Sequence, residues 1–509
     1  RTHVPTRAMQ RATTSSSISL TRLARVCLTL LAFCLAFALL HLFAAFRFVD
    51  GDEGWYIYAG RLVLEGLRPQ VDFFYQQMPF MPYLYAAWFK LTGVGWAQGR
   101  LLSALLAWGA GALVYRCARR ETGDWYLAVC ALVLYTAASI LLAWQSAVKT
   151  YAPANFFLVA AYTLWRHPPA AWRRVGPVLA GLAVGLAVGV RLPYLAALPA
   201  FALDALWHWR EPDGRRRALC FLAGFVVALS PLGYFACLDW DAFSFDNLGY
   251  HALRTKAGLV GGGGQKLQEI FTLFGVGLAD GASSFQIVSL TPLAVVFVLA
   301  RLGRREIPLP LTILALLFVV NVMPTPTFTQ YFCSLAPWLI LLAVGCLDTL
   351  ARNGILGHAG KVLAAGLLCV AHVAVSPVDI AHFTARDSSL ETYLDEARWT
   401  SRALDILTWP EDRPVLTNWP GYLLESRRRV YPGLENQFSQ HAGMFGLSEE
   451  RMAHLHLVGP DALRSLVASR RYPVALNEYD KYEAGILAHG YIRVFTWGRS
   501  AVYLPHIRP

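Results

Sequence analysis

The chain has 509 residues, of which 56% are hydrophobic and only 15% are charged. Typical soluble domains are about a quarter charged, and here the apolar residues stand in long blocks that a soluble core does not require. The formal net charge of +12 does not indicate a nucleic-acid-binding protein, because the Arg and Lys residues fall mostly in short loops between these blocks. These features predict a polytopic membrane protein.

Eleven apolar segments are long enough to be predicted as membrane spans, some of them tilted or kinked. The first follows a tail of residues 1–24 and is typical of a retained signal anchor rather than a cleaved signal peptide. The predicted spans are roughly 25–47, 97–117, 126–146, 151–165, 175–190, 193–209, 218–238, 284–302, 308–323, 331–350 and 360–377.

The charges of the loops predict the orientation of these spans. If the N-terminal tail is cytoplasmic, every second loop should be basic. All five such loops are: Arg116/Arg119/Arg120, Arg166/Arg173/Arg174, Arg210/Arg215/Arg216/Arg217, Arg301/Arg304/Arg305 and Arg352/Lys361. An odd number of spans then places loops 48–96 and 239–283 and the C-terminal part on the outer, periplasmic side of a bacterial-type inner membrane.

The first outer loop carries three carboxylates within four residues, Asp50, Asp52 and Glu53. Asp52 stands where a helix N-cap is expected, and apolar residues at helical spacing follow as far as Gly66, where we expect the helix to end. A second amphipathic segment, residues 79–90, carries the aromatics Tyr83, Tyr85, Trp88 and Phe89. We expect it to lie flat at the membrane surface, with its rings at headgroup level.

The second outer loop contains four consecutive glycines, residues 261–264, and the basic residues Arg254, Lys256 and Lys266. No predicted strand precedes the glycines, so a dinucleotide-binding motif is not indicated. A plain linker and a flexible lid remain open interpretations. The basic residues favour a loop that binds phosphate or lipid headgroups.

Residues 378–509 have the composition of a soluble domain. Helices are expected at about 388–407, 420–427, 448–456 and 460–470, and strands at about 414–417, 474–476, 492–496 and 501–504. This alternation predicts a small α/β domain. It contains no recognisable catalytic cluster, and we interpret it as a cap over the membrane-embedded part.

Arg191 and Lys149 are the cations expected nearest to the carboxylates, because each lies at the outer end of a predicted span. The alternative is that they extend to the headgroups without a further role. Carboxylates opposite fixed cations suit the transfer of a group from a phosphate, since a base activates the acceptor and a cation stabilises the departing phosphate. Capping alone would use only one of the three acids.

The acid motif resembles a known family. Asp52, Glu53 and Tyr56 form a D-E-x-x-Y run, followed by the helix ending at Gly66 and by RPQVDFFYQQMPFMPYLY. Together with the glycine-rich span that ends in Arg191-Leu-Pro and with QYFCSLAPWL at residues 330–339, the run resembles the GT-C fold glycosyltransferases of the protein mannosyltransferase and aminoarabinose transferase type. The resemblance covers about residues 25–350.

The resemblance implies an inverting transferase that takes a sugar from a polyprenyl-phosphate donor on the outer face. It makes Asp52 the catalytic carboxylate, with Glu53 and Asp50 beside it. Arg191, Lys149, Arg254 and Lys256 are then expected to bind the donor phosphate, and Tyr56, Tyr75, Gln76 and Tyr331 to contact substrate.

A divalent cation such as Mg²⁺ or Mn²⁺, held by Asp50 and Asp52, stays open as a cofactor. Many relatives carry a second acid before the fourth span. Here the chain reads KTYAPANFF, which does not favour metal dependence.

The sequence therefore predicts an all-α, GT-C-like membrane domain (25–377) and a periplasmic α/β domain (378–509). We expect a glycosyltransferase whose partners are a lipid-linked sugar, a lipid, glycan or protein acceptor, and the bilayer. A transporter or flippase of lipid-linked sugars is the main alternative, although no internal repeat of the transporter kind is evident. A non-catalytic assembly protein is less favoured because of the acid cluster.

Overall fold

The computed structural model describes residues 7–211, 213–255, 262–274, 281–385, 393–408, 413–442 and 445–506, with the side chains of 7–21, 281–285, 379, 440 and 442 left undescribed. The part before residue 386 is helical. Its α-helices are α1 Arg7–Phe46, α2 Glu53–Leu64, α3 Phe80–Thr92, α4 Trp96–Thr122, α5 Trp125–Ala137, α6 Ser139–Gln145, α7 Tyr151–Arg166, α8 Gly176–Val190, α9 Leu198–Trp207, α10 Gly214–Leu238, α11 Trp240–Ser244, α12 Tyr250–Arg254, α13 Gly263–Leu273, α14 Gly281–Leu302, α15 Leu309–Val322, α16 Ala336–Arg352 and α17 His358–Thr384.

Short turns of other helix types join several of these helices. A π-helical turn spans Phe245–Gly249, and 3₁₀ turns span Ala170–Trp172, Leu192–Ala197 and Thr329–Ser334. The turn Leu192–Ala197 directly precedes α9, and the turn Thr329–Ser334 ends just before α16. Each turn together with its helix corresponds to one predicted apolar segment.

Every predicted span coincides with a helix or with a pair of adjoining helical pieces. Among the described residues, four helices are long and apolar enough to cross a membrane alone, namely α1, α4, α10 and α17. The pair α5 and α6, bent by 58°, is a fifth candidate. Shorter apolar helices lie at four of the six remaining predicted spans, namely 175–190, 193–209, 284–302 and 308–323. The chain is a multi-pass membrane protein, whereas the count of eleven crossings stays a prediction.

Helix α2 begins and ends where the sequence predicts. Its last residues are followed by Gly66 at φ +96°, a conformation that favours glycine. Asp52 occupies the N-cap position, but its side chain makes no capping hydrogen bond. The expectation that Asp52 caps this helix is therefore wrong, and its carboxylate is available for other contacts.

Helix α3 corrects a second expectation. Tyr85 and Phe89 are almost fully buried, whereas Tyr83 is 39% exposed. The buried rings pack against α2 and α4, and Tyr85 Oη lies 2.6 Å from Ser103 Oγ on α4. Tyr85 and Phe89 therefore build the protein core beneath α2 instead of lying at headgroup level, whereas for Tyr83 and Trp88 the headgroup position stays a prediction.

The C-terminal part contains the helices and the small sheet expected of an α/β domain, although α17 runs on to Thr384, past the predicted boundary at residue 378. Its helices are α18 Leu394–Leu407, α19 Ser439–Ala442, α20 Glu449–His454, α21 Pro460–Ala468 and α22 Glu483–Ala488, and its strands are β1 Leu416–Thr417, β2 Val474–Asn477, β3 Tyr491–Trp497 and β4 Ser500–Pro505. The sheet order is β1-β2-β4-β3. Only β1 and β2 run parallel. Helix α18 packs against β3 and β4, and 3₁₀ turns lie at Pro420–Leu423 and Tyr479–Lys481.

Helices α8 and α10 pack unusually close together through glycines. A Cβ at Gly224 of α10 would lie 2.0 Å from the carbonyl oxygen of Val178, and a Cβ at Gly181 of α8 would lie 1.9 Å from that of Phe221. Small residues at such positions let two apolar helices bring their backbones together. This contact fixes α8, whose C-terminal end is followed by Arg191.

We predict that Gly224→Ala destabilises the protein by about 1–3 kcal/mol, because the added methyl group forces two backbones apart. Gly233→Ala in the same helix is the control, since nothing lies within 4 Å of its Cβ position and alanine favours the helix by up to about 1 kcal/mol. Thermal unfolding in one detergent should give a lower Tm for Gly224→Ala only. Equal Tm values for the two variants would contradict the close packing.

Candidate active site

A buried ion pair fixes the start of α2. Glu53 is completely buried, and its carboxylate accepts hydrogen bonds from Arg100 on α4 at 2.8 and 3.1 Å. The same carboxylate accepts the backbone N–H of Asp50 and that of Val148, each at 3.0 Å. The carboxylate of Glu53 thus has four donors and is closed to solvent. Glu53 thereby connects the backbone of Asp50, Arg100 of α4 and the backbone of Val148 after α6.

Arg100 also fixes the end of α1. Its guanidinium donates to the backbone carbonyls of Ala44, Arg47 and Phe48 at 2.8–2.9 Å. The last turn of a helix leaves carbonyl groups without partners, and here one side chain takes up several of them. The loop between α1 and α2, residues 48–52, is therefore held at both ends; we call it the acid loop.

The acid loop presents Asp50 and Asp52 to Lys149, which lies between α6 and α7. The ammonium group is 2.7 Å from Asp50 Oδ1 and 3.3 Å from Asp52 Oδ2. It also donates to Gln330 Oε1 at 2.8 Å. Because a lysine ammonium has three N–H donors, these contacts use its full capacity. Lys149 is 3% exposed, and Asp50 and Asp52 are 18% and 31% exposed.

The two carboxylates differ in how firmly they are held. Asp50 Oδ1 also accepts the backbone N–H of Asp52 at 2.9 Å. Burial opposes ionisation of Asp50, but the adjacent Lys149 charge and its hydrogen bond hold the pKa of Asp50 below its usual value. Burial likewise opposes the charge of Lys149, whereas Asp50 and Asp52 together raise the pKa of Lys149. Asp52 is left as the more exposed carboxylate, with the longer contact to the ammonium.

Arg191 lies beside this cluster in a cage of aromatic rings. Its guanidinium lies 4.5 Å from the ring centre of Tyr151 and 5.3 Å from that of Tyr331, and it donates to Thr150 Oγ1 at 3.1 Å. The residue is only 8% exposed, so it does not extend to the headgroups as in the alternative interpretation. No carboxylate of the described residues lies within 4.0 Å of it. A buried cation without an anion is unfavourable, and this position suits an anionic ligand.

The predicted substrate-contacting residues of the first loop form a buried aromatic layer. Tyr56 stacks on Trp55 with ring centres 3.7 Å apart, and Tyr75 packs edge-on to Trp55 at 5.4 Å. Tyr75 Oη and Gln76 Oε1 are buried, and neither has a hydrogen-bond partner among the described residues. The carbonyl of Gln76 is 3.1 Å from His251 Nε2.

Residues 245–255 of the second outer loop cover this aromatic layer. Asp246 accepts the N–H of Tyr75 at 2.9 Å, and burial raises the pKa of Asp246 well above its usual value. Burial lowers the pKa of His251 to about 4, so its imidazole is neutral at pH 7. His251 is therefore uncharged at neutral pH, and burial disfavours the charged form of Asp246.

Two of the basic residues predicted in this loop, Arg254 and Lys266, have partners among the described residues. Arg254 stacks over Phe328 at 5.7 Å, near the segment that carries Gln330 and Tyr331. Lys266 donates to the carbonyl of Met323 at 2.7 Å. Lys256 lies outside the described residues, as does Gly261 of the four glycines, whereas Gly262 is the N-cap residue of α13.

The C-terminal domain packs directly on the acid loop. Trp419 Nε1 donates to the carbonyl of Gly51 at 2.8 Å, and a Cβ at Gly54 would lie 2.5 Å from the Trp419 ring. The ring also stacks on Trp96 at 5.7 Å. Further contacts come from the N–H of Val430, which donates to Tyr58 Oη at 3.0 Å, and from Arg61, which donates to the carbonyl of Ser426 at 2.7 Å.

The residues do not fit a metal ion held by Asp50 and Asp52. The ammonium of Lys149 takes the place between the two carboxylates that such an ion would need. Across the described ranges, no group of three His, Cys, Asp or Glu side chains could hold a metal. No step is therefore assigned to a metal.

Sequence reasoning missed Arg100, Gln330 and Trp419. Arg100 had a usable signal, since an arginine near the start of an apolar span needs a partner. Gln330 and Trp419 had none, because their partners lie 181 and 368 residues away along the chain.

Comparison with known proteins gives similarity in structure only. No family model matches the chain, and no curated protein matches it in sequence. The crystal structure of ArnT from Cupriavidus metallidurans bound to undecaprenyl phosphate matches with a TM-score of 0.68 at 16% identity, covering 93% of this chain and 97% of that one. Its apo state matches with a TM-score of 0.67 at 16% identity, covering 94% and 98%.

A more distant match is the Archaeoglobus fulgidus oligosaccharyltransferase, with a TM-score of 0.45 at 14% identity over 92% of this chain and 73% of that one. The similarity to ArnT extends over nearly the whole of both chains. It confirms the GT-C fold that the sequence resemblance predicted.

We predict that Glu53→Gln destabilises the protein strongly, by about 3–5 kcal/mol, because it leaves the buried charge of Arg100 without its counter-ion. Asp52→Asn makes the same change of charge at the preceding residue, whose carboxylate is 31% exposed, and should stay close to the wild-type Tm. Thermal unfolding of both variants measures the difference. A Tm for Glu53→Gln within a degree of wild type would refute the structural role.

Proposed function

We propose that this protein is an inverting glycosyltransferase that moves a sugar from a polyprenyl-phosphate donor to an acceptor at the outer face of the membrane. Three features support the proposal: the GT-C fold, the open carboxylate of Asp52, and the cations beside it. The similar ArnT structure contains undecaprenyl phosphate, which makes a lipid phosphate of this kind the first donor to test.

The observation that carries the proposal is the buried guanidinium of Arg191. It has aromatic neighbours and a hydroxyl partner but no carboxylate among the described residues. Arginine binds phosphate through two parallel N–H···O bonds. A lipid phosphate at this position would supply the missing negative charge. A structural arginine in a protein core would instead be expected to have its own carboxylate, as Arg100 does.

Asp52 is the carboxylate best placed to act as the base. Asp50 is held by Lys149 at 2.7 Å and by the N–H of Asp52, which leaves it less free to receive a proton. Asp52 is more exposed and lies farther from the ammonium. We therefore assign Asp52 as the base and Asp50, Lys149 and Gln330 as residues that position it.

The proposed reaction forms one bond and breaks one. The acceptor hydroxyl gives its proton to a carboxylate oxygen of Asp52 while its oxygen attacks the anomeric carbon of the sugar. The bond between that carbon and the phosphate oxygen breaks on the opposite face, which inverts the configuration. The electron pair leaves with the polyprenyl phosphate, whose charge Arg191 stabilises. The proton on Asp52 then returns to solvent.

One base is sufficient for this chemistry. A phosphate is a good leaving group at neutral pH and does not need protonation, in contrast to the sugar oxygen that leaves in glycoside hydrolysis. The site accordingly needs a cation opposite the base rather than a second acid. In this proposal Arg191 is that cation and Asp52 is that base.

The basic alternate loops support an orientation in which the N-terminal tail is cytoplasmic and the acid loop and C-terminal domain are outside. Donor and acceptor would then meet at the outer membrane boundary. The reaction is one of hexosyl or pentosyl transfer, to a lipid, glycan or protein hydroxyl.

The direct test incubates the purified protein with a panel of undecaprenyl-phosphate sugars and measures released undecaprenyl phosphate by mass spectrometry. We expect release from at least one donor, accelerated by an acceptor. Transport of the intact lipid-linked sugar across vesicles without release would favour the flippase alternative.

We predict that Asp52→Asn lowers turnover by about 100-fold or more, because the amide keeps the shape of the side chain but accepts no proton. Asp50→Asn serves as the matched control and should cause a milder loss. Both variants should be compared at saturating donor after their Tm values have been measured. Near wild-type turnover in a well-folded Asp52→Asn variant would place the base elsewhere.

We predict that Arg191→Ala weakens donor binding or turnover by roughly 2–5 kcal/mol, since a desolvated phosphate would lose its charge partner. Arg191→Lys should recover only part of the loss, because lysine lacks the two-pronged hydrogen bond. Donor titrations of both variants measure the effect. Unchanged kinetics in Arg191→Ala would argue against phosphate binding at this position.

A further inference from the structure

The side chain of Gln437 approaches the acid loop from the C-terminal domain. A Cβ at Gly51 would lie 4.0 Å from Gln437 Nε2, so the amide faces the backbone between Asp50 and Asp52. Gln437 Oε1 is buried and has no hydrogen-bond partner among the described residues. No hydrogen bond involves Gln437 Nε2 within this part of the chain either.

The chain around Gln437 is held in place by its neighbours. Asn436 is 2% exposed, and its Oδ1 accepts the N–H of Phe438 at 3.0 Å. The carbonyl of Asn436 accepts the N–H of Ser439 at 2.9 Å, and Ser439 Oγ accepts the N–H of Val458 at 3.0 Å. These bonds fix the backbone of the turn from which the Gln437 side chain extends.

An aromatic contact joins this turn to the site. Phe438 packs edge-on to Trp55 with ring centres 6.3 Å apart, and Trp55 stacks on Tyr56 of the acid motif. Gln437 therefore lies at the junction between the C-terminal domain and the start of α2. Trp419, which contacts the same loop, differs in that its indole N–H is already bonded to Gly51.

A buried amide oxygen without a partner calls for an explanation, because most buried polar atoms are hydrogen-bonded. Asn436 Nδ2 next to it is also buried without a partner among the described residues. The two amides thus offer an acceptor and a donor, and that of Gln437 lies beside Gly51, the residue before the carboxylate assigned as the base. They are uncharged, so they match hydroxyl groups better than phosphate or carboxylate.

We propose that Gln437 is a specificity-determining residue that binds hydroxyl groups of a carbohydrate acceptor and places one hydroxyl over Asp52. The inference rests on the proposed glycosyl transfer and deepens it by naming the acceptor class. In this proposal Arg191, in the membrane-embedded part, binds the phosphate of the donor, and Gln437, in the C-terminal domain, binds the acceptor. This division gives the C-terminal domain a direct part in the reaction.

The test compares wild type with Gln437→Ala in the full-length purified protein, using an undecaprenyl-phosphate sugar that the wild type consumes. Two acceptors are used separately, water and methyl β-D-glucopyranoside. We expect transfer to the glucoside to fall tenfold or more, mainly through a higher KM for the glucoside, while hydrolysis by water stays within twofold. Gln268→Ala, an exposed glutamine on α13, should leave both reactions unchanged.

Stability supplies an independent readout. Because the Gln437 amide makes no internal hydrogen bond, Gln437→Ala should not lower the Tm, whereas a purely structural side chain would. A lowered Tm, an equal loss of hydrolysis and transfer, or no change in either reaction would overturn the proposal.

The failures of the two proposals are distinguishable. Donor hydrolysis without transfer to the glucoside by wild type would overturn the carbohydrate acceptor and leave glycosyl transfer intact. Failure of wild type to consume any donor would overturn both.

Discussion

The ion pair between Glu53 and Arg100 is the interaction on which the site depends. The two side chains are 0% and 2% exposed, and together they bind backbone groups at the end of α1, in the acid loop and before Lys149. A buried pair of this kind is stable only when its remaining hydrogen-bonding capacity is satisfied. Here backbone carbonyls and N–H groups provide that satisfaction. The consequence is a short, rigid loop that carries two further carboxylates.

The rigidity of the acid loop separates the roles of its three acids. Glu53 has no free acceptor position, and Asp50 is committed to Lys149 and to the N–H of Asp52. Asp52, at the N-cap position but without a capping bond, keeps its carboxylate available. Gly51 between them gives its carbonyl to Trp419 of the C-terminal domain. The acid loop is thus held both by Arg100 of α4 and by Trp419 of the C-terminal domain.

Much of this arrangement follows from local sequence. Apolar blocks predicted where helices lie, Gly66 marked the end of α2, and the alternation of helices with short strands predicted the α/β character of the C-terminal part. The sequence also places Lys149 and Arg191 at the ends of predicted spans. The burial of Tyr85 and Phe89 was missed because an amphipathic pattern does not reveal whether its apolar face meets lipid or protein. The partners of Glu53 and Gly51 were missed because they lie far away along the chain and leave no periodic pattern.

Binding of the lipid donor's phosphate by Arg191, next to Asp52, is central to the proposed reaction. A cryo-EM map of the protein with undecaprenyl phosphate tests this binding most directly. We expect phosphate density within hydrogen-bonding distance of the Arg191 guanidinium, between the rings of Tyr151 and Tyr331 and beside the acid loop. Phosphate density elsewhere, with Arg191 still lacking an anion, would contradict it.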